Sequence, residues 1–366
     1  MNLFSRVVAI LLVLAFIVSL PLSILAYDVG RVIFDPGLVK QILIDIATES
    51  DLFTVALQWY ADRRAAQRYE SGDAIAWQEE PDILDLLSLI EIDSWLAIRQ
   101  EVLTDEILTD WIITAVDGFY QWLDSDQPVP EIVFDLASFK ARVRSVHGRN
   151  AVQIIFDSLP PCTEEQIADF KSRLAAVPAG TKVPYNLCRF PDPWFDDQVS
   201  DYHQSVSEIV ENIPAVFNLV EELSRDDQEP ELAGIKERVL TVRTVTHWAP
   251  VLPVVLLLLI LALVVRSLKA LGNWWGIPLA IGGALLLLVA LLYRSLITAA
   301  LVSGPLQQVP TLVLQESIAA VTRLAEEVFR PLTWQSLVVF ILGLVLIVVA
   351  AAVKPNPEQT AAEAPA

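Results

Sequence analysis

Residues 7–27 read VVAILLVLAFIVSLPLSILAY, with no Asp, Glu, Lys or Arg among them. At about 1.5 Å of rise per residue, about 20 apolar residues in a helix cross the hydrocarbon core of a bilayer. Ala249 to Val265, Trp274 to Tyr293 and Trp334 to Val353 are three more runs of the same character. They predict a mainly α membrane protein with four transmembrane helices. The chain of 366 residues is 54% hydrophobic, with a mean hydropathy of +0.50. That excess is rare in a soluble domain and is explained by the four runs.

Basic residues beside the spans set the expected orientation. Arg6 precedes the first, Arg266 and Lys269 lie between the second and third, and Lys354 follows the fourth. If the spans alternate, all of these fall on one face, which the positive-inside rule assigns to the cytoplasm. Arg294, Arg323 and Arg330 on the other face make the bias favourable without being clean. The expected organisation is a transmembrane anchor at 1–27, an acidic, mostly helical extracytoplasmic domain at 28–248, and two spans with a short cytoplasmic loop at 249–293. An extracytoplasmic amphipathic helix at 294–333, a span at 334–353 and a disordered cytoplasmic tail at 354–366 complete it. Both termini are then cytoplasmic, in a multi-pass protein of the inner or plasma membrane. A cleaved signal peptide is the alternative for the first run. Its length and Ile24, three residues before a cut after Ala26, oppose cleavage.

Segment 28–248 holds the great majority of the chain's 45 Asp and Glu and is itself more negative than the whole chain at −20. A surface of this sign excludes a nucleic-acid backbone as partner and argues against docking onto anionic lipid heads.

Cys162 and Cys188 are the chain's 2 cysteines, and both fall in the segment expected outside, where thiols pair. Redox exchange uses cysteines two residues apart and structural zinc uses paired ligands at short spacing, so a structural disulfide is expected here. Thr163-Glu164-Glu165-Gln166 reads as a capping box opening a helix, with Cys188 in a later loop between Pro184 and Pro191.

Asp35-Pro36 opens a helix through Leu38, Ile42 and Ile46, a second is expected over 52–66, and 67–81 reads as a polar loop. Helical patterns follow over 82–90, 94–103 and 104–123. Ile132-Val133-Phe134-Asp135-Leu136 and Ala215-Val216-Phe217-Asn218-Leu219 each follow a proline and lead into a helical pattern. They read as one or two short β-strands, paired so as to bring together the ends of a helical insertion. That insertion contains helices near 138–146, 149–158, 163–177 and 193–211. His247 and Trp248 fall where interfacial anchors belong. In the third span, Gly276, Ala280 and Ala284 predict a closely packed face. Leu314, Ile318, Val321, Ala325 and Val328 form one apolar stripe on the 310–330 helix.

The search for chemistry ends in weak candidates. No Gly-x-Ser-x-Gly, His-Glu-x-x-His or phosphate-loop signature occurs. Asp124 and Asp126, two residues apart before Pro128, are the best candidates for a hard-cation site, although no full loop motif surrounds them. No cofactor and no catalytic residue are assigned. The function expected is an interaction or scaffold role in the cell envelope. The expected partners are the lipid bilayer and another protein, or a second copy met through the membrane helices or the 310–330 helix. A sensory or ligand-binding protein relaying through a partner is the alternative, and a membrane-attached hydrolase the second.

The stretch Ser158-Leu159-Pro160-Pro161-Cys162-Thr163-Glu164-Glu165-Gln166, the later Leu187-Cys188-Arg189, Phe134-Asp135-Leu136 and Asn218-Leu219 resemble uncharacterised bacterial multi-pass membrane proteins. In these, an N-terminal anchor precedes an outer domain and three later spans. The resemblance implies the architecture and paired cysteines, and carries over no functional residue.

Overall fold

The computed structural model describes residues 3–49, 51–52, 54–56, 58–60, 63, 90–178, 183, 185–223, 232–265, 267–303 and 311–353. The polar loop read at 67–81, most of the helix read at 82–90, and the tail 354–366 lie outside the described residues. The chain is mainly helical and divides into two compact units. One comprises residues 1–39, 231–307 and 321–366, the other 40–230 and 308–320.

Among the described residues, four helices are long and apolar enough to cross a membrane, and their apolar runs lie in the first unit. Helix α1 (Leu3–Ile33) continues past Tyr27, and α2 (Pro36–Glu49) starts where Asp35 Oδ1 accepts from the main-chain N–H of Gly37 and Leu38, at 2.9 and 3.1 Å. The second apolar run is α11 (Val251–Val264), preceded by α10 (Leu232–Trp248) with only Ala249 and Pro250 between them. A short α12 (Leu268–Leu271) runs through a π-turn at Gly272–Gly276 into α13 (Ile277–Ser303). The third apolar helix therefore extends beyond Tyr293. Arg294-Ser295-Leu296-Ile297-Thr298-Ala299 contains no helix breaker, and the first Gly-Pro pair comes at Gly304-Pro305. Helix α14 (Thr311–Ala352) runs without interruption through Pro331, joining in one helix what the sequence divides into an amphipathic helix and a span.

Small residues set how closely these helices pack. A Cβ on Gly283 would stand 2.6 Å from the main-chain N of Phe340, and one on Gly343 would stand 2.4 Å from the main-chain N of Ala280. Gly276 lies equally close to Ile347 and Gly343. The packed face read at Gly276 and Ala280 thus meets α14, but Ala284 is exposed and Gly283 takes its place. Gly282 faces the other way, onto Leu20 of α1. Phe16, Leu20, Ile260 and Leu279 form the buried centre. At the other end Leu286, Ala290 and Leu332 pack with Ile24 and Phe329, and Tyr293 stacks on Phe329 at 4.4 Å. Ala325 and Val328 of the apolar stripe are buried within the chain itself.

The second unit is the acidic helical domain. Helices α3 (Ile92–Val102), α4 (Asp105–Asp124), α5 (Ala137–Val143), α6 (Val146–Ser158), α7 (Glu164–Ala176), α8 (Asp192–Asn212) and α9 (Leu219–Leu223) build it. Strands β1 (Val133–Asp135) and β2 (Val216–Asn218) pair antiparallel, Phe134 directly opposite Phe217. The sheet closes the insertion α5 to α8 at its ends, as the repeated pattern predicts. Trp95 and Ile98 of α3 pack on Ala151 of α6, while Phe156 of α6 packs on Phe195 and Val199 of α8.

The sulfur atoms of Cys162 and Cys188 stand 1.99 Å apart, at disulfide distance. The capping box forms as read: the Thr163 N–H donates to Gln166 Oε1 at 2.8 Å, and the Gln166 N–H to Thr163 Oγ1 at 3.3 Å. Gln198, fully buried, donates to Cys188 O at 2.9 Å and accepts from the Phe190 N–H at 3.2 Å. With Phe170 and Phe190 beside the sulfurs, this loop is anchored to both α7 and α8.

Candidate functional site

A concave surface lined largely by polar groups lies between α4, α5 and the start of α6. It is a cleft of about 500 Å³ whose lining includes Glu106, Asp110, Trp111, Asp135, Arg142 and His147. Trp111 is fixed by its ring N–H, which donates to Asp135 O at 3.1 Å, and by Phe134 and Phe139, which flank it. Asp135 Oδ1 accepts from the Ala137 N–H at 2.8 Å and so starts α5. Ser145 Oγ accepts from the His147 N–H at 3.2 Å and starts α6.

The Ser145 cap places His147 at the start of α6, beside Glu101 at the end of α3. The His147 Nδ1 lies 2.7 Å from Glu101 Oε2, and Asn150 Nδ2 donates to Glu101 Oε1 at 3.4 Å. The hydrogen bond from His147 holds the Glu101 carboxyl below its ordinary value, against the opposing effect of burial. Arg142 donates to the main-chain oxygens of Glu101 and Gln100. The result is an imidazole oriented by a carboxylate at the edge of an acidic, aromatic cleft. Such a surface has the chemistry to receive a cationic group: carboxylates supply charge and the Trp111 ring a flat apolar wall.

Sequence reasoning passed over this cluster, because Glu101 and His147 are 46 residues apart. The visible signal was a histidine two residues after a helix-capping serine. Asp124 and Asp126 are placed otherwise. Both are exposed at the end of α4, and among the described residues no group of three or more His, Cys, Asp or Glu gathers to hold a metal. Trp95 and Trp122 are core residues, whereas Trp77 lies outside the described residues.

A second site lies in the apolar unit. Asp28, read from sequence as the first residue beyond the first span, is 1% exposed. Gln335 Nε2 of α14 donates to its Oδ1 at 3.0 Å, and among the described residues its Oδ2 has no hydrogen-bond partner. Because α1 does not end at Tyr27, Asp28 continues the buried side of Phe16 and Leu20 toward Val32 at four-residue steps. An acidic side chain held inside a bundle of apolar helices is costly. Comparison with protein-family models, with curated proteins and with solved structures gives no match.

Proposed function

We propose that the chain is a multi-pass protein of the cell envelope that acts as an interaction or scaffold protein, with the acidic helical domain outside and both termini in the cytoplasm. The observation that carries the interaction reading is the cleft at Trp111. It gathers Glu106, Asp110 and Asp135 around one fixed aromatic ring on a domain that is already strongly acidic. A partner for such a surface is a basic segment, whose Lys or Arg meets the carboxylates while its apolar stem lies on the indole. Four membrane-length helices and a cysteine pair at disulfide distance support the envelope location.

The size of the cleft favours one alternative, a sensory protein whose small cationic ligand occupies the same surface and whose signal passes through a membrane partner. Quantitative mass spectrometry of a tagged full chain purified in mild detergent separates the two. The scaffold reading expects a stoichiometric partner that is lost in Glu106→Lys/Asp110→Lys. A chain recovered alone, or a partner retained equally by that variant, contradicts the cleft as the interaction surface.

A further inference from the structure

Gly30 of α1 and Thr246 of α10 approach so closely that a Cβ on Gly30 would stand 2.5 Å from Thr246 Oγ1. Beside this crossing lies a separate cleft of about 510 Å³. Arg31, Arg243 and His247 line it together with Tyr27, Thr244 and Trp248, and among the described residues no Asp or Glu does. In a chain of net charge −20 the lining of this hollow is basic, and Arg31 also interacts electrostatically with the buried Asp28 carboxyl.

Its position along the chain gives its second property. Tyr27 closes the charge-free run 7–27, and Trp248 stands immediately before the run 249–265. Aromatic rings at such ends sit at headgroup level. Arg31 lies about one helical turn beyond Tyr27, and Arg243 lies five residues before Trp248, about 7.5 Å along the helix. The aromatic floor is therefore level with the edge of the hydrocarbon, and the two guanidinium groups stand in the layer that contains lipid phosphates. Arginine forks match phosphate oxygens in pairs.

We propose that this cleft binds the phosphate of a membrane phospholipid headgroup, through Arg31 and Arg243, with Tyr27 and Trp248 against the lipid's glycerol and upper acyl carbons. The acidity of the rest of the chain opposes diffuse adsorption to an anionic surface. Binding is thereby confined to the cleft and saturates at one lipid per chain. A free phosphate ion offers the same oxygens but nothing to cover the aromatic floor.

The test uses the full chain, delipidated in neutral detergent, with phosphatidylglycerol added and retained lipid read by native mass spectrometry. The expected result is saturation at one phosphatidylglycerol per chain and no retention of diacylglycerol, which lacks the phosphate. Arg31→Gln/Arg243→Gln should weaken binding at least tenfold, while Arg330→Gln, an arginine outside the cleft, leaves it unchanged. Thr244→Trp fills the hollow without removing charge and should cause a similar loss, which keeps the test decisive if the double variant does not fold. Equal retention of diacylglycerol, unsaturable binding, or parent-like binding by Thr244→Trp would overturn the proposal. Displacement by inorganic phosphate at concentrations comparable to the lipid would overturn the lipid assignment in favour of a soluble phosphate.

Discussion

Tyr185 and Glu101 show how single side chains in the acidic domain take their properties from their neighbours. Burial, reinforced by the carboxylates of Asp201 and Asp197, pushes the Tyr185 phenol up to about 12. The unfolded chain ionises this group near pH 10, so its contribution to stability is present below pH 10 and is lost as pH rises toward 12. Absorbance at 295 nm should show one of the 7 tyrosines titrating last in the folded protein, and Tyr185→Phe should remove that step. Glu101 has the opposite sign. Its folded value is lowered by the bond from His147, so its contribution is present above the ordinary carboxylate range and is lost as pH falls through the folded value. Glu101→Gln should therefore flatten the acid limb of a denaturant midpoint plotted against pH, and an unchanged slope would contradict the pairing. None of these pairings was legible in the sequence, since Tyr185 lies in the loop before α8 and Glu101 and His147 lie on different helices. Asp28 was hidden for another reason. A charged residue after an apolar run reads as the end of a span, and only the continuation of α1 to Ile33 with the opposing amide of Gln335 shows that it is enclosed.

At the scale of elements, much was legible because the patterns are local. Proline followed by a β-branched and aromatic run located both strands, and their antiparallel register puts the two phenylalanines opposite each other, with centroids 6.5 Å apart. The capping box at Thr163 was equally readable, since all its atoms lie within one turn. The packed glycine face was read only in part. Gly276 and Ala280 were placed correctly, but strict four-residue steps drift off a helical face, and the step of three from Ala280 to Gly283 keeps to it. That face gives a direct test. Gly343→Leu forces a side chain onto the main chain of Ala280, which no rotamer change can relieve, and should cost about 1–3 kcal/mol or more, read as a lower melting temperature in detergent. Gly234→Ala in α10, where the added methyl meets nothing within 4 Å, should be neutral or stabilise by about 0.5–1 kcal/mol. A parent-like Gly343→Leu would contradict the close crossing of α13 and α14.

For the whole molecule, the alternation of charge-free runs with an acidic segment was sufficient to read a four-helix membrane protein carrying a helical domain. The division into compact units differs from the one read by hydropathy. Residues 28–39 and 231–248 belong with the apolar helices, because α1 and α10 meet at Gly30 and Thr246 above the ends of their apolar runs. The acidic domain contains its own staple. Joining residues 26 apart in sequence, the cysteine bridge should stabilise by about 3.5 kcal/mol in the chain-entropy model. Cys162→Ala/Cys188→Ala should lose a comparable amount in denaturant unfolding, and reductant should have no further effect on that variant.

We propose that the chain crosses the membrane four times with its acidic domain outside and its C-terminal end inside. The most direct test uses right-side-out membrane vesicles, an impermeant maleimide, and single-thiol variants at the exposed Gln204 and at Ala364, both in the Cys162→Ala/Cys188→Ala background. Gln204→Cys should be labelled in intact vesicles, and Ala364→Cys only after the membrane is opened. Labelling of Ala364→Cys in sealed vesicles, or protection of Gln204→Cys, would contradict the arrangement.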